Sequence, residues 1–284
     1  MPELPEVETV RRGIERHVVG RLIERVEIGR ERSVRRTGPE AVIHGLTGAT
    51  MTAAGRRGKY LVCSLDTGEA LMIHLRMSGR VLVRPVGDDR PLHCHVVLTL
   101  SAGESGTRDE MWFVDPRTFG EVVVFDPGSA DVIIPELGRL GPDPVLDRFD
   151  GEVLAERLRG RRAPIKQVLL DQHVVAGIGN IYADEVLHRA RVRGDRPADA
   201  LARRTINRLA DAIVEVISAA IEAGGSTLDD TQYVDVSGET GRFQHEHRVY
   251  GRAGLPCVTC GKGVVKRAMR GGRSSSWCPV CQPR

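Results

Sequence analysis

Apolar side chains recur at helical spacing near the start of the chain, at Val7, Val10, Ile14 and Val18, and Gly20 follows as a stop. The period then changes. RLIERVEI, KYLVCSL, EALMIHL, GRVLVRP, HVVLTL, MWFV and EVVVF alternate or run apolar, with Gly, Pro and Asp turns between them. That spacing predicts an all-β sandwich or barrel of roughly 110 residues behind one leading helix. ELGRLGPDPVLDRFD, about 136 to 150, has the composition of a linker. Beyond it the pattern is helical, in EVLAERLRG, APIKQVLLD, NIYADEVLHRA and the long RRTINRLADAIVEVISAAIEAG. GGSTLDDTQYVDVSGETGRFQ, about 224 to 244, reads as a loop and not as a core element. The expected class is therefore α+β and multidomain. Residues 1–135 form a β-sandwich, 136–150 a linker, 151–244 a helical domain carrying the loop, and 245–284 a separate C-terminal element.

The first ten residues, MPELPEVETV, raise a chemical question. Pro2 and the acids Glu3, Glu6 and Glu8 suit a helix start, because Pro is preorganised for a first turn and acids complement the positive end of the helix dipole. A second reading is open at this point. Met before a small residue is normally removed, which would leave Pro2 with a free secondary amine, and an α-amino group titrating near pH 8 is partly unprotonated and nucleophilic at neutrality.

Charge is polarised along the chain. Residues 257 to 284 hold Lys262, Lys266, Arg267, Arg270, Arg273 and Arg284 and no acid, while residues 1 to 256 hold 35 basic against 38 acidic side chains. A basic segment on an otherwise slightly acidic protein suits a polyanion or a solvated tail. No apolar stretch reads as a membrane span or a secretory leader, so a cytoplasmic protein is the default expectation.

The cysteines change the reading of that tail. Cys257-x2-Cys260 and Cys278-x2-Cys281, 17 residues apart, let four thiolates converge on one zinc, with Gly261 and Gly263 easing the first knuckle. Disulfides are the alternative, which a reducing compartment disfavours. Four thiolates leave no open position for water, so the metal is expected to be structural. Cys63 and Cys94 lie in strand-like stretches and are expected as buried core thiols. In VVAGIGNIYADE, Gly177 and Gly179 allow a tight turn, Asn180 is placed to cap the following helix, and the exposed amides there would suit a phosphate. A plain helix hairpin accounts for that motif equally well.

Taken in order, MPELPEVE, RRGKYL, HLRMSGR, DPRTFG, GIGNIYADE and a basic four-Cys ribbon ending RSSSWCPVCQ resemble the formamidopyrimidine-DNA glycosylase family of bacterial repair enzymes, over essentially the whole chain. The resemblance implies an N-terminal β-sandwich, a helix–two-turn–helix domain, a zinc ribbon with one structural zinc ion, and a monomer. It also implies double-stranded DNA with oxidised bases or abasic sites as partner. Pro2 resembles the family's nucleophile, Glu3 its neighbouring acid, Lys59 the β-elimination lysine and Arg273 the phosphate-gripping arginine of δ-elimination. Met77, Arg117 and Phe119 correspond to residues that fill the void left by a flipped base. His93, Arg161, Lys166 and Asn180 correspond to phosphate contacts, and Glu6 to a residue facing the extruded base. The 224–244 loop would cap the lesion.

This chain departs from the family pattern in three places. The gap between cysteine pairs is one residue longer, at Gly271-Gly272; Ser276 stands where an aromatic is expected; and Arg76 replaces a more usual glycine beside Met77. Three functions compete: a glycosylase and lyase for oxidised purines, a relative favouring oxidised pyrimidines, and a non-catalytic binder of damaged DNA. The PELPEVE start argues against the second, and intact Pro2, Glu3, Lys59 and Arg273 argue against the third.

Overall fold

The computed structural model describes residues 1–103, 106–228 and 233–283. Residues 229–232 of the expected loop, and Arg284 of the basic segment, lie outside the described residues. The chain divides into two compact units, Met1–Arg139 with Gly224–Arg242, and Leu140–Ala223 with Phe243–Arg284.

In the first unit, α1 (Leu4–His17) buries Val7, Val10 and Ile14 on one face. It is followed by β1 (Ile23–Ile28), α2 (Pro39–Leu46), β2 (Met51–Arg57), β3 (Tyr60–Leu65), β4 (Ala70–His74), β5 (Arg80–Pro85), β6 (Cys94–Ala102), β7 (Arg108–Val114), β8 (Glu121–Phe125), α3 (Ala130–Ile133) and α4 (Pro135–Gly138). Two four-stranded antiparallel sheets, ordered β1-β6-β7-β5 and β2-β3-β4-β8, enclose a core that α1 joins through its apolar face. This is the expected sandwich. Each Val, Ile or Leu taken fully into it contributes about 1.5–3 kcal/mol of transfer free energy.

Several elements of this unit escape the apolar pattern, β2 and α2 among them. The β2 sequence MTAAGRR has no apolar run, and Gly55 is required there because a Cβ would meet Val62 O at 2.8 Å. In α2, PEAVIHGL starts with Pro39 at the first turn. The stretch from Gly224 to Arg242, expected with the helical domain, packs on the sandwich instead. Val83 N–H donates to Val236 O at 2.8 Å, and Tyr233 Oη donates to Gly224 O at 3.0 Å. The Val236 side chain lies where a Cβ on Gly13 of α1 would sit, 2.4 Å away.

The second unit holds α5 (Gly151–Leu158), α6 (Ile165–Leu170), α7 (Asn180–Arg189), α8 (Arg203–Glu222), β9 (Lys266–Arg270) and β10 (Arg273–Trp277). Asp150 caps α5 by accepting from Glu152 N–H and Val153 N–H at 2.9 and 3.0 Å. Ile206, Leu209, Ile213, Ile217 and Ile221 form one buried stripe of α8, which packs on α5 and α7. Part of the expected linker is already structured here, since Gly141 N–H donates to Gln172 O and Ala176 N–H to Pro142 O.

Candidate active site

Pro2 is buried immediately before α1, and Glu3 caps the helix. Glu6 reaches back to accept Glu3 N–H at 2.8 Å through Oε2, while its Oε1 accepts Ser226 N–H at 2.7 Å. One carboxylate therefore fastens the helix start to the beginning of the returning Gly224–Arg242 segment. Gly225 makes this possible, having φ +78° and no Cβ to strike Glu6 Oε1 at 2.8 Å.

Lys59 occupies a two-residue turn with Gly58 between the paired residues Arg57 and Tyr60, and Gly58 takes φ +56°. The preceding residue, Arg56, is turned inward. Its Nε donates to Glu8 Oε2 at 3.0 Å and its guanidinium also donates to Gly58 O at 2.9 Å, so α1 and the Lys59 turn are held to each other. His74, at the end of β4, is buried against the same region and packs edge-on to Tyr60. Burial, then the charges of Arg76, Lys59 and Arg36, hold the imidazole well below its ordinary pKa of 6.5. Its Nδ1 accepts Arg76 N–H at 3.0 Å.

Met77 and Phe119 are exposed at the tips of two turns, and the exposed Arg117 guanidinium lies 5.1 Å from the Phe119 ring centre. Arg76 takes φ +52° and pairs with the buried carboxylate of Glu121 at 3.2 Å, a contact that a glycine at this position would lack. His93 is exposed, with φ +68°, and its carbonyl accepts Asp115 N–H at 3.0 Å. Cys63 is a buried core thiol as expected, whereas Cys94 is only half-buried.

In the second unit the expected phosphate contacts separate into different groups. Lys166 is not a surface cation. Its Nζ lies 2.7 Å from Asp184 Oδ1 and donates to Ser274 O at 2.6 Å, inside the unit, because α6 turns this position toward α7. Burial pushes the Asp184 carboxyl up, and Lys166 opposes that. Arg161 is half-exposed and paired with Asp171 at 2.9 Å. Asn180 is the first residue of α7 and not its cap, which is Gly179. Its Nδ2 donates to Ser274 Oγ at 3.2 Å, and its buried Oδ1 has no hydrogen-bond partner among the described residues. Arg273 is exposed at the start of β10. Gly271 and Gly272, at φ +55° and +75°, form a two-residue turn between Arg270 and Arg273, so the extra residue is absorbed in a regular hairpin. Ser276 is buried and donates its N–H to Asp184 Oδ2 at 2.9 Å.

The thiol sulfurs of Cys257, Cys260, Cys278 and Cys281 all lie within 4.8 Å of one another, and none is in a disulfide. Gly263 N–H points at Cys260 Sγ and Cys281 N–H at Cys278 Sγ, each at 3.4 Å. Gly263 must lack a side chain, since a Cβ would meet Cys278 Sγ at 2.6 Å. Backbone donors from Gly263 and Lys262 bring the Cys260 thiol down to about 6. Four convergent sulfurs with N–H donors suit a thiophilic divalent ion.

Some of the positioning residues carry little sequence signal. Asp115, Arg56 and Glu121 are charged residues in or beside strands and turns, where exposure is the ordinary expectation. Strand alternation, which turns Arg56 inward and Arg57 outward, is the one available hint.

Residues 1–122 match the Formamidopyrimidine-DNA glycosylase N-terminal domain, and residues 140–232 match the Formamidopyrimidine-DNA glycosylase H2TH domain. A formamidopyrimidine-DNA glycosylase of Cereibacter sphaeroides is 48% identical over 291 residues, covering 99% of this chain and 100% of its own. One of Nocardioides sp. is 45% identical over 285 residues, covering 100% and 95%. Among solved structures, the Lactococcus lactis Fpg bound to DNA containing an abasic site is 35% identical, with a TM-score of 0.89 and coverage of 99% and 100%. A variant of the same protein bound to DNA containing Fapy-dG superposes with a TM-score of 0.90 at 35% identity, with 100% of both chains covered. Similarity across the whole chain, on the fold and motifs described above, places this chain in the formamidopyrimidine-DNA glycosylase family.

Proposed function

We propose that this chain is a bifunctional DNA glycosylase and abasic-site lyase of base excision repair, acting on duplexes that carry 8-oxoguanine or formamidopyrimidines. The observation that carries the reading is the buried Pro2 at the head of α1, with Glu8 and Arg56 holding that helix to the turn of Lys59. Removal of the exposed Met1 would free the proline nitrogen as a secondary amine. Its lone pair attacks the sugar C1′, the damaged base leaves with the glycosidic electron pair and takes up a proton, and ring opening assisted by Glu3 gives an iminium. The iminium acidifies the adjacent C–H bond, so Lys59 can promote loss of the 3′ phosphate and Arg273 the later loss of the 5′ phosphate. Water then releases the sugar fragment and regenerates the amine.

The exposed Met77 and Phe119 would wedge into the gap left by the flipped nucleotide, and Arg117 would pair with the orphaned cytosine. Glu6 is read as facing the extruded base from its anchorage at Ser226, with the Gly224–Arg242 segment as the cap. His93, Arg161 and Asn180 remain candidates for phosphate contact, whereas Lys166 is assigned to internal support. Cys257, Cys260, Cys278 and Cys281 would hold one zinc ion, which when bound supplies structural cross-linking of the ribbon. Among the described residues no helix is long and apolar enough to cross a membrane, and the proposed site of action is the cytoplasm.

Borohydride trapping tests this directly. A duplex with one 8-oxoguanine opposite cytosine should give a covalent adduct with the processed chain and none with an N-terminally extended form, while Pro2→Gly, whose terminus is still a primary amine, should give less adduct. Absence of adduct from a verified Pro2 terminus, together with binding, would favour a damage binder. An adduct only with an oxidised pyrimidine would move the chain to that substrate class.

A further inference from the structure

Both wedge-bearing turns end on a single buried carboxylate. Asp115, at the end of β7, is wholly buried. Its Oδ1 accepts the Ser78 hydroxyl at 2.5 Å, from the residue after Met77. The same oxygen accepts Arg117 N–H at 3.2 Å, and Oδ2 accepts Gly120 N–H at 2.7 Å, so the carboxylate brackets Phe119 from both sides. Its main chain extends the set. Asp115 O takes His95 Nε2 at 2.9 Å and Thr118 N–H at 3.2 Å, and Asp115 N–H goes to His93 O. Gly120 closes the arrangement, because a Cβ there would meet Phe113 Cζ at 2.5 Å and Asp115 Oδ2 at 3.1 Å.

We infer that Asp115, acting through Ser78, is a positioning residue that fixes the spacing between Met77 and the Arg117–Phe119 turn, and so sets how well the protein holds an intact damaged base out of the helix. This rests on the proposed glycosylase reading. Met77 and Phe119 are on separate chain segments and both are exposed, so the spacing between them depends on what ties the two turns together. A carboxylate bonded to both turns and shielded from water is stiff, since charge-assisted hydrogen bonds are short and strong and lose little to competing solvent. Asp115 and Ser78 touch neither sugar nor base in this scheme. Their influence falls on the step that needs a filled void, and an abasic site makes the least demand on that step because no base has to be unstacked.

Two variants and two substrates test this. Ser78→Ala removes one tie and leaves the carboxylate its backbone donors, while Asp115→Asn removes the charge at constant shape. With Ser78→Ala, excision of 8-oxoguanine opposite cytosine under single-turnover conditions should slow by roughly tenfold or more, since small misplacements of positioning groups have effects of that order. Stopped-flow fluorescence of 2-aminopurine beside the lesion should lose its fast phase, and cutting of an abasic duplex should stay within about twofold of native. Asp115→Asn should follow the same pattern more strongly wherever its melting temperature shows it folded. Native excision and native fluorescence by Ser78→Ala would overturn the inference, and so would equal losses on both substrates. A native chain that cuts neither duplex would instead sink the glycosylase reading and this inference with it, a result distinguishable from a working native chain matched by its Ser78→Ala variant.

Discussion

Arg56 Nε donates to Glu8 Oε2 at 3.0 Å with the Arg56 side chain completely buried, joining the helix behind Pro2 to the turn that carries Lys59. Removing one partner of such a pair strands the other. Arg56→Ala leaves Glu8 with Arg11 and Arg12, at 3.1 and 3.2 Å, whereas Glu8→Ala leaves a guanidinium with no solvent access. Urea denaturation is therefore expected to show a loss of about 3 kcal/mol for Arg56→Ala and a larger one for Glu8→Ala. Strand cutting at an abasic site should fall in both, because Lys59 loses its fixed place. Equal stability of the two variants would contradict the asymmetry.

Lys166 is buried against Asp184, so its part in binding DNA can be tested through salt dependence. A cation that neutralises a phosphate contributes to the salt dependence of binding, and a buried one does not. Lys166→Met should therefore destabilise the second unit by roughly 3–5 kcal/mol, through the stranded Asp184 carboxylate. Lys166→Met with Asp184→Leu should recover part of that loss. In folded protein at low temperature, the slope of log K against log salt should match native for the double variant, while Arg273→Ala should reduce it by about 1. A reduced slope in the double variant would return Lys166 to the phosphates.

The contrast between these two lysines shows what was legible in the chain. Strands such as EVVVF and KYLVCSL carry their burial in their composition, and the cysteine spacing carries the four-sulfur cluster, so both are readable locally. β2 was hidden because its inward positions are filled by Met, Ala and Arg. The motif RRGKYL marked Lys59, but nothing local says that Arg56 faces Glu8, 48 residues away. The inward placement of Lys166 is hidden for the same reason, its partner Asp184 lying one helix later. The segment after α8 looked like part of the helical domain by order along the chain. It returns to the sandwich because Val236 and Tyr233 find apolar cover there.

Acid should weaken the first unit through His74. The folded imidazole is held below 6.5 by burial and by three nearby cations, whereas in the unfolded chain it is free to protonate. Between the folded pKa and 6.5 the unfolded state binds more protons, so stability rises with pH there. The contribution is complete above 6.5 and is lost as pH falls toward the folded value. The slope is at most about 1.4 kcal/mol per pH unit. His74→Asn retains an acceptor for Arg76 N–H and cannot titrate, so the gap in urea midpoint between about pH 7.5 and pH 5.5 should be smaller in that variant than in native protein. An unchanged gap would assign the acid sensitivity to other groups.

Stripping the metal should separate the ribbon from the helices that support it. Cys257 is fully buried, and its sulfur stands 3.8 Å from Cys281 Sγ, so Cys257→Ser or chelation leaves polar or ionised groups crowded in a site that only an ion reconciles. The helices have cover of their own through the α8 stripe. Anchors outside the knuckles also hold the chain close by, since Glu185 accepts the N–H groups of Arg248, Val249 and Tyr250 at 2.8, 3.0 and 2.7 Å. Hydrogen exchange after chelation should therefore show the knuckles around Cys257–Cys260 and Cys278–Cys281 deprotected first, with α7 and α8 still protected. DNA affinity should fall together with the ordering of Arg273, since the β10 strand that carries it runs directly into Cys278. Metal analysis of native protein should return one ion per chain. A folded, metal-free protein with native affinity for DNA would show that the hairpin stands without the ion and that the four cysteines serve another purpose.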